Sequence, residues 1–377
     1  MFERLKQKIY AAEAVNRGRQ AELDGAKFAA IFCLALIHCT IECIPEEDLA
    51  SGIPYLFDTV IGGPLSAPLY MFAMGVGMVY AKNRRPADHI RRGLRLCALS
   101  YALNICRFLI PFLAGWLITG EYDKYIAPLP YLVMENDVLL FAGAAMLAIA
   151  LFQRLGLADG AMLGTALAMS ALGSLLVGID ARHPMANILL GYLVGTEDAA
   201  GMVHSYFPLL NWLIVPVSGY VFGKRLIHVK NKPLFYGIFS TAGLVVTAAY
   251  FSVGITHELG MFGEGQNCYY HITTPDALAS ICAAVAALGV WYLLDQILPQ
   301  VVRSIAGLVS RNITRVYCIH WVILSFTVNV ALYAARGTQV LPVPAVLLLG
   351  TAISVVSIAL AHIGSRYGKT RALGAVQ

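Results

Sequence analysis

The chain has 377 residues, 58% of them apolar and only 13% charged, with a formal net charge of +5. Soluble domains carry about 25% charged residues, so this composition excludes a disordered or nucleic-acid-coating protein and speaks against an aqueous enzyme of this length. The expected class is all-α, a polytopic protein whose first partner is the lipid bilayer and which has no nucleic-acid partner.

Residues 1–24 are polar and charged, without the apolar core of a cleavable signal. The first membrane helix is therefore expected to be retained. A spanning helix needs about 20 mostly apolar residues, and ten such blocks follow at 26–44, 64–81, 94–115, 136–153, 160–179, 206–223, 234–253, 276–298, 313–334 and 341–364. A shorter apolar stretch, 186–195, cannot span and is expected to re-enter, its backbone shielded by protein or a cavity. The transmembrane unit is thus 25–364, between an N-terminal segment 1–24 and a tail 365–377.

Lysine and arginine orient these blocks, because positive loops stay in the cytoplasm. With the N-terminus inside, 23 of the 27 basic residues fall on the cytoplasmic side. Lys124, Arg182 and Arg336 fall in outer loops, Arg107 lies within a helix, and the first outer loop is acidic, with Glu46, Glu47 and Asp48. Ten helices with both termini cytoplasmic, in the cell membrane, are expected. The eight cysteines form no CxxC pair and no metal-like spacing with histidine. They read as small buried residues, and no metal is expected.

Ionisable groups inside a bilayer are costly and mark pathways or sites. The first block carries Lys27 near its inner end, then His38 and Glu42. At 1.5 Å per residue, His38 lies about 18 Å from the inner boundary, just past the midplane. Glu42 follows at i+4 on the same face, where a carboxylate would orient an imidazole acting as general base. The other reading of His38 is interhelical glue. Asp24, three residues before Lys27, suggests a local ion pair with it.

Arg84, Arg85, Arg91, Arg92 and Arg95 form an inner cluster. Most of it reads as a positive-inside anchor, but Arg92 and Arg95, at i,i+3 near a helix N-terminus, suit a phosphate. A phosphate site at the inner face and an imidazole about 20 Å away by helix rise suggest coenzyme A, whose pantetheine arm carries a thioester at its tip. Arg107, at mid-membrane depth, is expected to line the substrate site; a buried cation needs a partner, and Glu42 is one it could take. His320, nearer the inner side, reads equally as a residue of the pantetheine path or as packing. His257, Glu258, His271 and Asp276 match no metal motif and read as acceptor contacts or solvated loop residues.

The stretch Glu22-Leu23-Asp24-Gly25-Ala26-Lys27, ten residues, then His38, resembles the opening helix of the acyltransferase-3 family within the transmembrane acyltransferase superfamily. Arg92-Gly93-Leu94-Arg95-Leu96 is similar to that family's RxxR element, and Tyr317-Cys318-Ile319-His320-Trp321 looks like its YxxH segment. Phe207-Pro208-Leu209-Leu210-Asn211-Trp212 with Gly219-Tyr220 resembles the related bacterial heparan-glucosaminide-acetyltransferase-like branch. The resemblance implies that His38 is the catalytic histidine, Lys27 its charged motif partner, and Arg92 and Arg95 acyl-CoA contacts. Lys27 stands where arginine is commoner and Phe28 where glycine often follows. In the lysosomal heparan enzyme asparagine follows the ten-residue spacer and the working histidine comes later. This chain has no histidine between His38 and His89, so the acyltransferase-3 placement fits it better.

The expected function is transfer of an acyl group, acetyl above all, from cytoplasmic acyl-CoA to a hydroxyl or amine of an extracytoplasmic or lipid-linked acceptor. By resemblance the acceptor is a carbohydrate, O-acetylation is included, and a homodimer is an open assembly. The rival is a secondary transporter or flippase, with His38, Glu42 and Arg107 as proton relay.

Overall fold

The computed structural model describes residues 2–49, 51–197, 205–263 and 267–374. Among these the chain is helical and forms no strand, only the isolated bridges Tyr10 to Val229 and Ile179 to Thr196. Eight helices are long and apolar enough to cross a membrane. The principal helices are α1 (Ala21–Cys43), α2 (Gly52–Tyr80), α3 (Pro86–Thr119), α4 (Val138–Arg154), α5 (Asp159–Leu175), α6 (Ile214–Leu226), α7 (Lys232–His257), α8 (Thr274–Ile297), α9 (Gln300–Arg336) and α10 (Val343–Gly374).

Helices α5 and α6 occupy the fifth and sixth predicted spans but are short, at 17 and 13 residues. The apolar run of α5 ends ahead of Gly178, whose φ of +85° turns the chain. The sixth predicted span begins at 206, but residues 205–208 are not helical. Phe207 has a positive φ and Pro208 follows it, and a residue before proline is disfavoured in the helical region. Between them, the 186–195 stretch includes part of a short helix, Pro184–Gly191.

Local sequence sets several boundaries. Pro86 opens α3 at a position whose N–H would go unused. Thr273 and Asp276 close a capping box on α8. Helix α1 sits at the centre, packed against α2, α8, α9 and α10. Helices α2 and α6 cross in backbone contact: a Cβ on Gly75 would lie 2.0 Å from the Pro216 carbonyl oxygen, and one on Gly219 2.1 Å from that of Phe72. Small residues allow such an approach where lipid offers no hydrophobic drive.

Three helices carry wide π-type turns, at Leu56–Gly62, Ile105–Leu109 and Ser325–Leu332. Such turns shift the ladder and free carbonyls, and they concentrate at functional sites. The Ser325 hydroxyl donates to the Arg107 carbonyl, joining two of them. Ahead of α4, the span beginning at Tyr122 is broken at residues 135–137. Irregular backbone at membrane depth is tolerated where it is buried in protein or lines a cavity.

Candidate active site

The break at 135–137 is braced by side chains of neighbouring helices as well as by its own backbone bonds, Glu135 N–H to the Leu132 carbonyl and Phe141 N–H to that of Asp137. Asn104 Nδ2 donates to the carbonyls of Val133 (3.0 Å) and Glu135 (2.9 Å). Asp137 caps α4, its Oδ1 accepting from the Leu139 (2.7 Å) and Leu140 (3.3 Å) amides and from the Ser100 hydroxyl (2.9 Å). Its Oδ2 accepts from the Tyr317 hydroxyl at 3.1 Å and lies 3.6 Å from Arg107 Nη1. Arg107 Nε donates to Asn104 Oδ1 at 3.1 Å. The buried cation therefore pairs with Asp137. Glu42, the candidate partner, makes no salt bridge with it.

His38 lies on α1 beside this network. Its ring stacks on Trp321 with centroids 4.1 Å apart, and its Nδ1 lies 3.0 Å from His320 Nε2. The Arg107 guanidinium also sits against the Trp321 ring, 4.7 Å from its centroid, an attraction worth about 2 kcal/mol when desolvated. No hydrogen bond joins Glu42 to His38 although one turn separates them. The i+4 spacing puts both on the cavity wall, but the imidazole's partner is another imidazole.

A cavity of about 180 Å³ opens on His38, Glu42, Arg107, Glu135, Tyr317 and Trp321. Ala30, Leu34, His38 and Glu42 line it at four-residue intervals along α1, a length of about 18 Å. Lys27 lies one turn before Ala30. Its ammonium is 3.4 Å from where a Cβ on Gly77 would stand, and it is within electrostatic reach of Arg92. Arg92 also acts on Tyr70, a lining residue. Arg92 and Arg95 are exposed, and Arg95 is not a lining residue. Asp24 pairs with Arg19 rather than with Lys27. His320, 1% exposed, does not line the cavity but backs His38 from behind.

The other end of the cavity is aromatic and tightly braced. Tyr206, Phe207 and Tyr270 line it. Phe207 has φ +50°, a conformation costing a bulky residue about 1–3 kcal/mol that persists only when the surroundings impose it. Here Asn136 Nδ2 donates to the Tyr206 (2.6 Å) and Phe207 (3.4 Å) carbonyls, and His271 Nε2 donates to the Ser205 carbonyl at 2.8 Å. The Trp212 indole donates to the Tyr270 carbonyl (2.7 Å) and Asn211 Nδ2 to that of Ile272 (3.0 Å). The 207–212 motif therefore supplies both a cavity wall and the clamps that hold its neighbour.

Burial pushes the His271 imidazole below its usual pKa, with the Ser205 carbonyl and the Glu197 charge opposing, so His271 is a neutral strut at 4% exposure. Asp276, fully buried, accepts from Tyr250 and Thr273 and is structural. His257 and Glu258 are exposed at the end of α7. Among the described residues no group of histidine, cysteine, aspartate or glutamate could hold a metal ion.

Sequence reasoning missed Asp137 and Glu135. The run Glu135-Asn136-Asp137 abutting an apolar block was the available signal, since acids at membrane depth need partners.

Residues 19–237, more than half the chain, match the sequence profile of the heparan-alpha-glucosaminide N-acetyltransferase catalytic domain. The chain belongs to that family. It is a multi-pass membrane protein with a membrane acetyltransferase domain of a kind that acts on carbohydrate. The matched region runs from just ahead of α1 into the start of α7, so it includes Lys27, His38, Arg92, Arg107, Asp137 and Phe207 but not His320 or Trp321. The match falls on the heparan branch rather than on acyltransferase-3 itself. No curated protein and no solved structure matches the chain.

Proposed function

We propose that this family member transfers an acetyl group from cytoplasmic acetyl-CoA to an amine or hydroxyl of a carbohydrate acceptor on the far side of the cell membrane, or of a lipid-linked one. The observation that carries the reading is the course of the cavity. It follows one face of α1 from Ala30 to Glu42, with Lys27 and Arg92 beyond its first end, His38 along it and an acidic, aromatic wall near its last.

The cavity's run of about 18 Å along α1 suits the extended thioester-bearing arm of the donor. The nucleotide phosphates would meet Lys27, Arg92 and Arg95, whose charge-assisted bonds are among the stronger ones available. The basic loops on that side support a cytoplasmic location for it. At the other end Phe207, Tyr206 and Tyr270 offer ring faces to a sugar, and Glu42 and Glu135 offer acceptors for its hydroxyl or amino hydrogens.

In the reaction the acceptor nitrogen or oxygen bonds to the thioester carbonyl carbon while His38 Nε2 takes its proton. The tetrahedral species then expels the coenzyme A sulfur, which receives that proton from His38. The products are the acetylated acceptor and the free thiol. The test is to incubate detergent-purified protein with acetyl-CoA and an amino sugar, following thiol release and the mass of the sugar. Acetylated sugar and stoichiometric thiol are expected. Absence of both over a panel of sugars, with acetyl-CoA giving no thermal stabilisation, would overturn the reading.

A further inference from the structure

From the histidine pair behind the cavity we infer that His320 is a positioning residue: it accepts a hydrogen bond from His38 Nδ1–H and so fixes His38 in the tautomer whose bare Nε2 faces the substrates. The inference rests on the transferase reading for its consequence but on geometry for its content.

The two rings meet through His38 Nδ1 and His320 Nε2, 3.0 Å apart. Neutral imidazoles joined this way must divide the roles, one nitrogen bringing the hydrogen and the other a lone pair. The far nitrogen of His320 decides the division. Its Nδ1 is buried and makes no hydrogen bond, and the backbone groups that act on the ring are those of Val316 and Tyr317, one turn back on its own helix, where a helix presents carbonyls toward the side chains that follow. A bare nitrogen there would set its lone pair against carbonyl lone pairs, whereas an N–H is attracted to them. With the hydrogen on Nδ1, His320 Nε2 is bare and accepts from His38 Nδ1–H. His38 Nε2 is then left without a hydrogen, the form a general base requires.

The surroundings fix the rings as well as the proton. Trp321 stacks on His38, and Tyr317 meets His320 edge-on with centroids 5.2 Å apart. Glu42, the nearest carboxylate along α1, makes no bond to His38. In the familiar triad a carboxylate orients the base. At membrane depth a second neutral ring performs the same orientation without desolvating a further charge. It also leaves an acceptor in place when His38 becomes imidazolium.

The test has a spectroscopic arm and a kinetic arm. Solid-state nitrogen spectra of histidine-labelled protein, with His38→Gln identifying the His38 signals, should show Nδ1 protonated and Nε2 bare in the wild type, and a mixture of tautomers in His320→Ala. For acetyl transfer, His320→Ala should lower kcat by about 100-fold or more with the KM for acetyl-CoA unchanged, the size expected for losing a correctly protonated base. His320→Gln, whose amide oxygen can accept from Nδ1–H, should recover at least about tenfold of that loss. A proton on His38 Nε2 in the wild type, or wild-type kcat in His320→Ala, would overturn the inference. If the wild type transfers no acetyl group, the transferase reading fails, while the spectrum still decides the tautomer.

Discussion

The two ends of the cavity are built by opposite means. At the end near Lys27 the polar groups are long cations, and Arg92 and Arg95 are exposed. At the other end the backbone itself forms the wall, with Phe207 in a left-handed conformation, Asn136 and His271 donating to the carbonyls around it and Trp212 to that of the neighbouring Tyr270. Flexible cations can close around a ligand that is common to many enzymes. A braced aromatic wall discriminates by shape, because its position is set before the ligand arrives. The difference teaches that, on the proposed reading, donor recognition is electrostatic and adaptable while acceptor recognition is preorganised.

Variants along the cavity break or sharpen that contrast. The largest effect belongs between the two ends: His38→Ala should lower kcat by about 10²–10⁴-fold, the usual contribution of a general base, while acetyl-CoA still shifts the melting temperature. Retained turnover, measured as thiol release, would remove His38 from the chemistry. Next comes the network that supports the braced end. Asp137→Ala leaves Arg107 buried without its carboxylate, uncaps α4 and strands the Tyr317 hydroxyl. Breaking a buried pair by removing one partner costs about 3–5 kcal/mol, so thermal unfolding should fall sharply. Arg95→Ala, at an exposed position, should leave it unmoved.

The same contrast decides what was legible in the sequence. The helical class and most of the spans were readable because a bilayer demands long apolar runs and sorted charge. The α1 face was readable because Lys27, His38 and Glu42 are ionisable groups in an apolar block, and helical spacing alone aligns His38 with Glu42. What failed was anything decided between helices. Arg107 pairs with Asp137, not Glu42, because the helix break at 135–137 delivers a capping carboxylate to the Arg107 side chain. His320 stands behind His38 because α9 packs on α1, a contact that no local pattern encodes. The short α5 and α6 escaped because hydropathy registers neither the turn at Gly178 nor a left-handed Phe207.

At the adaptable end, Arg92→Ala combined with Arg95→Ala should raise the KM for acetyl-CoA by about 10-fold or more, from loss of charge-assisted hydrogen bonds worth about 1.5–3 kcal/mol each. On the proposed reading these cations serve the donor alone, so kcat and the acceptor KM should hold. Added salt should weaken wild-type donor binding more than that of the double variant, since exposed charges are screened. An unchanged KM would detach the arginines from donor recognition and leave Lys27 as the cation to test.

The smallest effect tests whether the wall is truly braced. Phe207→Gly and Phe207→Ala both delete the ring and its edge-on contacts with Trp212 and Tyr270, so both should raise the acceptor KM alike. They differ in the backbone. At φ +50° an L-residue with a Cβ carries about 1–2 kcal/mol of steric cost that glycine escapes, offset in part by glycine's greater freedom when unfolded. Phe207→Gly should therefore be the more stable variant by up to about 1 kcal/mol, the reverse of the ordinary order for these two residues, and visible as a higher melting temperature. If the alanine variant melts higher instead, the segment relaxes once the ring is gone. The strain would then come from the phenylalanine itself and not from Asn136 and His271, and the acceptor end would be no more preorganised than the donor end.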